Sequence, residues 1–491
     1  MASMQPELPI ELAAAAAATA APQDVEGNKK SKDFGLDIQD PYLVKFEEPF
    51  DRDNPLHWSL RRKWAVTNVL SATGFNRILV STVMAPALSS IADELDMSNT
   101  ESILALSIYL LATAFGPLIA GPLSEVYGRQ VVLHASNVWF LVWNILCGFA
   151  TNKETLIAAR FLTGFGASSI YALAGGVLGD VWHPHQRGPI VGGFMTDRTT
   201  WRWMFWSTSA FQAVMIVYSF TTFRETFSPV ILKRRAARLR KETGDDQYQT
   251  RRERDFDRRP IWSVLARALS RPLRLLAFHP IIQVQSLISA FDYGVLYIAL
   301  SSFADIWIRQ YHQRVDISGL HYIAIALGEI VASQLGGKLM DLYYRRVERR
   351  SAEGQPTPEQ RIPLVFPGAV IAPIGLVLYG WAAQYRLHWI VVDVGIFLAC
   401  FGMQISGMPM QAYVIDVYPP ETTSSALAAS QLLRSLFAFL FPLFTPTMYH
   451  ALGYGWGNTT VAVAGLVFMM GAPLLVMRYG QRLRTKATGR L

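Results

Sequence analysis

The side chains able to do chemistry in this chain stand in apolar surroundings. Asp292 and Glu329 fall inside long aliphatic and aromatic stretches, as do Asn76, Arg77, Arg160 and Arg434. An unpaired charge is costly in such a place, so each of these groups is a functional candidate. A carboxylic acid in low dielectric favours its neutral form and can take up and release a proton. Asp292 and Glu329 therefore have the chemistry of proton carriers, with helix packing as the alternative for Glu329 beside Gly328. Arg77, next to Asn76, could attract an anionic or carbonyl-bearing substrate or pair with an acid on a neighbouring helix. Tyr293, Tyr297, Gln404 and Gln411 have the character of a pocket for an organic molecule, although ordinary packing would account for any one of them. Arg434 is expected in an interhelical pair and Asp393, near the start of an apolar block, at the interface.

The elements that position these residues are membrane spans. Of 491 residues, 51% are hydrophobic and 17% charged, with a mean hydropathy of +0.22; a soluble protein carries about 25% charged residues. Apolar blocks run over 65–88, 102–120, 131–150, 155–178, 203–222, 280–304, 318–340, 364–385, 388–413, 423–448 and 456–477, which is eleven spans. Helices of soluble proteins average about 11–12 residues, too short for these blocks. The expected class is an all-α polytopic membrane protein with the lipid bilayer as its solvent.

The net charge of +8 sits in loops between the blocks, which argues against a nucleic-acid partner. Cys147 and Cys400 each lie inside a block, so no disulfide framework is expected. The pair His183 and His185 lacks Cys or acidic neighbours at ligand spacing, and no metal or other cofactor is assigned. The loops carry no nucleophile–base pair or phosphate loop, so an enzyme is not expected. Residues Ala13 to Ala18 are too short a run for a signal core and follow Glu7 and Glu11 instead of basic residues. The segment from Asn54 through Trp58 to Arg61, Arg62, Lys63 and Trp64 suits a helix lying at the cytoplasmic interface.

Loop charge sets orientation. Residues 224–274 hold Lys233, Arg234, Arg235, Arg238, Arg240, Lys241, Arg251, Arg252, Arg254, Arg258 and Arg259, and 341–361 hold Arg345, Arg346, Arg349 and Arg350. Both loops and both termini are expected in the cytoplasm. Parity then fails in the first half: the block 203–222 would end outside, yet it runs into the most basic loop. One more crossing is needed between Gly179 and Trp203, where only Gly188-Pro189-Ile190-Val191-Gly192-Gly193-Phe194-Met195 stands. Eight residues cannot cross roughly 30 Å of hydrocarbon.

An internal repeat fixes the two halves in register. Gly121, Leu123, Glu125, Tyr127 and Arg129 recur as Gly337, Leu339, Asp341, Tyr343 and Arg345. Each stretch is expected to close a span with a short helix-to-helix turn, its acid facing a helix end and its arginine pairing across the bundle. The chain accordingly divides into a disordered tail 1–50, a membrane half 51–223, a basic central loop 224–278, a second half 279–478 and a tail 479–491. The first half has five full spans and the second six. Asn458-Thr459-Thr460 matches the glycosylation pattern in an outer loop.

These features resemble the major facilitator superfamily. Gly121–Arg129 is similar to its loop signature Gly-x-Leu-x-Asp-x-x-Gly-Arg, with Glu125 where aspartate is usual and Gly128 in place. Arg160-Phe161-Leu162-Thr163-Gly164-Phe165-Gly166 is similar to its fourth-helix pattern. Three stretches resemble the fungal drug:proton antiporter branch: Asn54-Pro55 with Trp58 and Lys63-Trp64, Glu225-Thr226 through Pro229 to Thr243, and Asp416-Val417-Tyr418. The resemblance implies two pseudo-symmetric six-helix halves that rock about a central site, exporting a small organic compound in exchange for protons. It implies a monomer in the plasma membrane. It places Arg160 near the proton-coupled site, with a snorkelling interface arginine as the alternative. It makes Gly121, Glu125, Gly128 and Arg129, with Gly337, Asp341 and Arg345, a conformational latch. Uptake of polyamine-like or nutrient molecules, a non-transporting sensor or scaffold, and a transporter made defective by the missing helix are the alternatives. Members of that branch have a fifth helix ending in Gly-Pro-x-x-Gly-Gly; here Gly188 meets Pro189 with about twenty residues of that pattern missing.

Overall fold

In the computed structural model, residues 41–47, 50–181, 201–251, 253, 261–348, 358–418 and 420–488 are described. The tail up to residue 40, the stub Gly188–Met195 and the pair His183 and His185 lie outside them. The described chain is helical apart from one isolated parallel bridge between Leu43 and Gln249.

The first half contains α1 (Leu60–Thr82), the short α2 (Leu88–Glu94), α3 (Asn99–Tyr127), α4 (Arg129–Gly148), α5 (Lys153–Ala167), α6 (Ser169–Val181) and α7 (Trp201–Thr222). α8 (Ser228–Thr243) and α9 (Ile261–Phe278) form the central loop. The second half contains α10 (Pro280–Asp305), the short α11 (Val315–Leu320), α12 (Tyr322–Glu348), α13 (Val365–Gln384), α14 (Trp389–Val417) and α15 (Pro420–Thr488). α15 turns back at Gly453, whose φ of 69° separates two spanning arms. With α5 and α6 taken as one rod kinked at Ser168 and α15 as two arms, the described residues hold eleven long helical rods at the eleven apolar blocks, and eight of the helices are long and apolar enough to cross a membrane.

The segment before α1 departs from expectation. Pro55–His57 is a single 3-10 turn, and Arg61, Arg62, Lys63 and Trp64 form the first turn of α1 itself. Trp58 is buried, with the Arg62 guanidinium 3.9 Å above its ring. The residues expected on a separate interfacial helix thus begin the first span.

Helix direction follows from contacts at the ends. Lys153 pairs with Glu101 at 2.8 Å, joining the starts of α5 and α3. Arg129 pairs with Asp180 at 3.4 Å, joining the start of α4 to the end of α6. At the start of α7, Trp201 Nε1 donates to Glu94 at 2.7 Å and Arg202 donates to the Ala150 carbonyl at 3.4 Å, on the face where α3 starts. Its far end leads to Glu225, which accepts the Arg129 backbone N–H at 2.9 Å. α7 therefore runs the same way as α5–α6, and Val181 and Trp201 lie on opposite faces of the bundle. Among the described residues the helices of the second half alternate: Arg361–Asp416 (2.6 Å) and His321–Asp393 (2.8 Å) close opposite ends of its spans.

The halves meet along α3 and α15, where Thr113 Oγ1 donates to Ser435 Oγ at 3.0 Å, and between α1 and α10, where Ser81 Oγ and Tyr297 OH lie 3.1 Å apart. All four residues are buried. α12 is the least covered span of its half: 17% of its most apolar stretch is buried, against 50% for α13 and α14.

Candidate functional site

The face carrying the basic loops is tied by a polar knot around the start of α4. Helix starts leave backbone N–H groups unpaired, and Gly128 offers no side chain to cap them. Glu225 does so from beyond α7, accepting from Arg129 N at 2.9 Å and Gln130 N at 3.3 Å, while its own following backbone folds onto it through Thr226 N and Phe227 N. A carboxylate at this end also suits the helix dipole. Gly128 has φ +98°, and a Cβ there would fall 2.0 Å from Glu225 Oε2, so glycine is required on both counts. The Arg129 side chain reaches Asp180 at 3.4 Å and Ser124 Oγ at 3.0 Å, and Thr226 Oγ1 donates to Asp180 at 3.3 Å. Burial pushes the Asp180 carboxyl up to about 6, against the opposing pull of Arg129.

Gly128 and Arg129, two of the residues expected in the latch, thus both lie in this knot. Gly121 is half-buried in α3, with Ala172 the nearest side chain to where its Cβ would stand; the Glu125 side chain is outside the described residues. For the repeat in the second half the structure corrects the expectation. α12 continues as helix through Gly337, Asp341 and Arg345, and both Asp341 and Arg345 are exposed. The equivalent pair is made by Arg361, before α13, with Asp416 at the end of α14. Asp180-Val181-Trp182 and Asp416-Val417-Tyr418 form a second internal repeat, and each acid binds an arginine from the start of the preceding span. Asp416-Val417-Tyr418 is one of the stretches that carry the resemblance above, and its match with Asp180-Val181-Trp182 goes unread there.

A second polar group lies midway through the bundle. Asp292 and Tyr293 on α10, Glu329 on α12 and Arg434 on α15 share one electrostatic neighbourhood, with Arg434 the cation acting on both acids. The Arg434 guanidinium carbon stands 3.6 Å from the Tyr293 ring centroid, and among the described residues it makes no direct ion pair with either acid. Tyr171 of α6 brings the first half into the group. The rings of Tyr293 and Tyr297 stand 5.6 Å apart, tilted by 51°. Asp292, Tyr293, Glu329 and Arg434 are surrounded by protein yet keep partial exposure, the combination expected of groups lining an internal space. Gly328 sets the depth of Glu329: a Cβ there would come within 2.7 Å of the Phe397 carbonyl, so α12 can press against α14. Gln404 is half-buried and Gln411 exposed on α14. On the other side, Val80, Tyr109 and Leu110 share one buried apolar cluster with Leu296, Leu300 and Phe303.

Several candidates move elsewhere. Asn76 and Arg77 are fully buried between helices of the first half. Asn76 Nδ2 donates to the Thr208 carbonyl and Gln212 Oε1, and Arg77 donates to the Gly166 carbonyl and Asn137 Oδ1, so neither lines the central space nor pairs with an acid. Arg160 is also fully buried and does not snorkel. Its guanidinium donates to the carbonyls of Val80 (2.8 Å), Ala105 (3.3 Å), Ser81 and Leu106 (both 3.4 Å), clamping the end of α1 to α3. Asn458 is 1% exposed; its amide donates to the Tyr454 carbonyl at 2.9 Å and its Oδ1 accepts from Tyr449, which removes it as a glycosylation acceptor. Asp393 faces His321 Nδ1 at 2.8 Å, a ring stacked on Trp307 at 3.6 Å.

Comparison with known proteins agrees with this architecture. The sequence model described as Major Facilitator Superfamily matches residues 70–188 and 188–442, two segments that meet at Gly188. The "Probable efflux pump mfs2" of Aspergillus flavus is 52% identical over 420 residues, covering 82% of this chain and 98% of that protein. "Efflux pump vrtL" of Penicillium aethiopicum is 38% identical and covers 91% of both chains. Among solved structures, the proton:xylose symporter XylE aligns with a TM-score of 0.60 at 15% identity, over 86% of this chain and 96% of that one; at that identity the likeness concerns the fold alone. On these grounds the chain belongs to the major facilitator superfamily of membrane transporters.

Proposed function

We propose that the chain is an exporter of a small organic compound, driven by protons and working by alternating access in the plasma membrane with its basic loops in the cytoplasm. The observation that carries this is Arg434, seated over Tyr293, as the one cation among the described residues acting on both Asp292 and Glu329. Two carboxyl groups sharing one cation can hand a proton on without leaving an uncompensated charge in low dielectric. The tyrosines give an organic ligand an aromatic wall. The efflux pumps named above support the direction of transport. The halves 51–223 and 279–478, joined by the loop 224–278, act as the two rocking bodies.

The test is expression in a yeast sensitive to toxic organic compounds, with intracellular accumulation measured across a broad panel. Lower accumulation of some compound, abolished by a protonophore and by Asp292→Asn or Glu329→Gln, supports the proposal. Raised uptake of a nutrient points to an importer. No change for any compound, with the protein present at the membrane, points to a second reading, a non-transporting sensor or scaffold. A specific observation favours that second reading: Val181 and Trp201 lie on opposite faces, with nineteen residues between them that include Arg187, Asp197 and Arg198.

A further inference from the structure

We propose that α9 is a docking surface for anionic phospholipid headgroups of the inner leaflet, and that it fastens the seam between the two halves. The proposal rests on the orientation given above, with the basic loops in the cytoplasm. α9 packs against both α3 and α15, the helices along which the halves meet. Its last turns are anchored by Leu275, 2% exposed, in a cluster with Ile282, Tyr413 and Ala426 of the second half. Arg267, Arg271 and Arg274 follow at spacings of four and three, which puts them on one side of a helix. From Arg258 to Phe291 the sequence has no Asp or Glu to neutralise them. Arg274 is exposed, and neither it nor Arg271 has an ion pair among the described residues.

Leu273 and Phe278, at 49% and 65% exposure, stand in the same last turns and are not used in packing. Arginines over headgroups with apolar side chains at acyl depth are how a basic amphipathic helix binds an anionic interface. This combination selects a lipid over a free phosphate, which would leave Leu273 and Phe278 in water. It also separates α9 from α8, whose exposed Lys233, Arg234 and Arg238 share a helix with no exposed large apolar residue.

The test uses the purified full chain in neutral detergent, with phosphatidylserine or phosphatidylcholine added and the thermal midpoint recorded. Phosphatidylserine raises the midpoint and phosphatidylcholine does not; glycerophosphoserine, the same headgroup without acyl chains, leaves it unchanged. The triple variant R267Q/R271Q/R274Q weakens the apparent phosphatidylserine affinity on the order of a hundredfold, and the corresponding lysine variant retains it. R274Q alone, at an exposed position that folding tolerates, weakens it about fivefold. K233Q/R234Q/R238Q on α8 changes little. Equal shifts with both lipids, a full shift with glycerophosphoserine, or an unweakened glutamine variant overturns the proposal. Lipid binding in detergent does not depend on transport or on orientation, so its outcome is separate from that of the exporter; cysteine labelling at position 274 in sealed vesicles reads the orientation on its own.

Discussion

Glu225 caps the helix that Arg129 begins, although 96 residues separate them. The carboxylate takes two backbone N–H groups of α4 and returns to its own chain at Thr226 and Phe227, so the end of α7 is stitched to the turn at Gly128. Glu225→Ala should cost about 2 kcal/mol, because buried N–H groups lose their acceptor. Glu225→Gln keeps one acceptor oxygen and should cost less. Thermal or denaturant unfolding in detergent measures both; a cost within error of zero for Glu225→Ala would show that water caps α4 equally well.

Asp180 should make the closed knot sensitive to pH. Its carboxyl lies beyond the apolar block 155–178, at the end of α6, and is pushed up to about 6, chiefly by burial. Between about 4 and 6 the folded form holds the proton that the unfolded form has lost, so stability falls as pH rises through that window and levels off above it. The full effect is about 3 kcal/mol at most. Asp180→Asn should flatten the dependence of the thermal midpoint on pH between 4 and 6. A variant with the unchanged slope would place the titrating group elsewhere.

Arg434 should resist conservative replacement. Arg434→Lys keeps the charge near Asp292 and Glu329 but loses the planar group 3.6 Å from the Tyr293 ring. Transport by the lysine variant should drop roughly tenfold, and Arg434→Ala should be inactive. Equal activity for Arg, Lys and Ala at this position would remove the cation from the coupling step.

The spans were legible because a bilayer demands long apolar runs whatever the tertiary fold, and parity located the break before Trp201 from charge alone. The sites were legible only where partners are close in sequence or repeated. Asp180 and Glu225 reach Arg129 from 51 and 96 residues away, and no local pattern marks such a partner. Arg77 and Arg160 misled for a related reason: their acceptors are mainly backbone carbonyls, which every residue carries, so the sequence does not distinguish an arginine that clamps helices from one that meets a ligand. The second-half latch was assigned to Arg345 because spacing was matched along the chain, whereas Arg361 takes the place in space.

A fourth prediction concerns Gly188. The transcript across it, or a chain with about twenty apolar residues inserted between Gly188 and Pro189, should carry the missing crossing. The inserted chain should gain export activity in the yeast assay while the chain as given has less. Equal activity of the two would show that 182–200 already suffices.

The parallel course of α5–α6 and α7 also bears on how the protein is made. A translocon that threads each new span opposite to the last would set α7 with its basic end facing outward, and would then have to export the arginines of 224–274 or invert every later helix. The chain instead keeps α8 on the same face as the start of α4. Strict alternation and the described arrangement are thus different topologies for everything after Trp201.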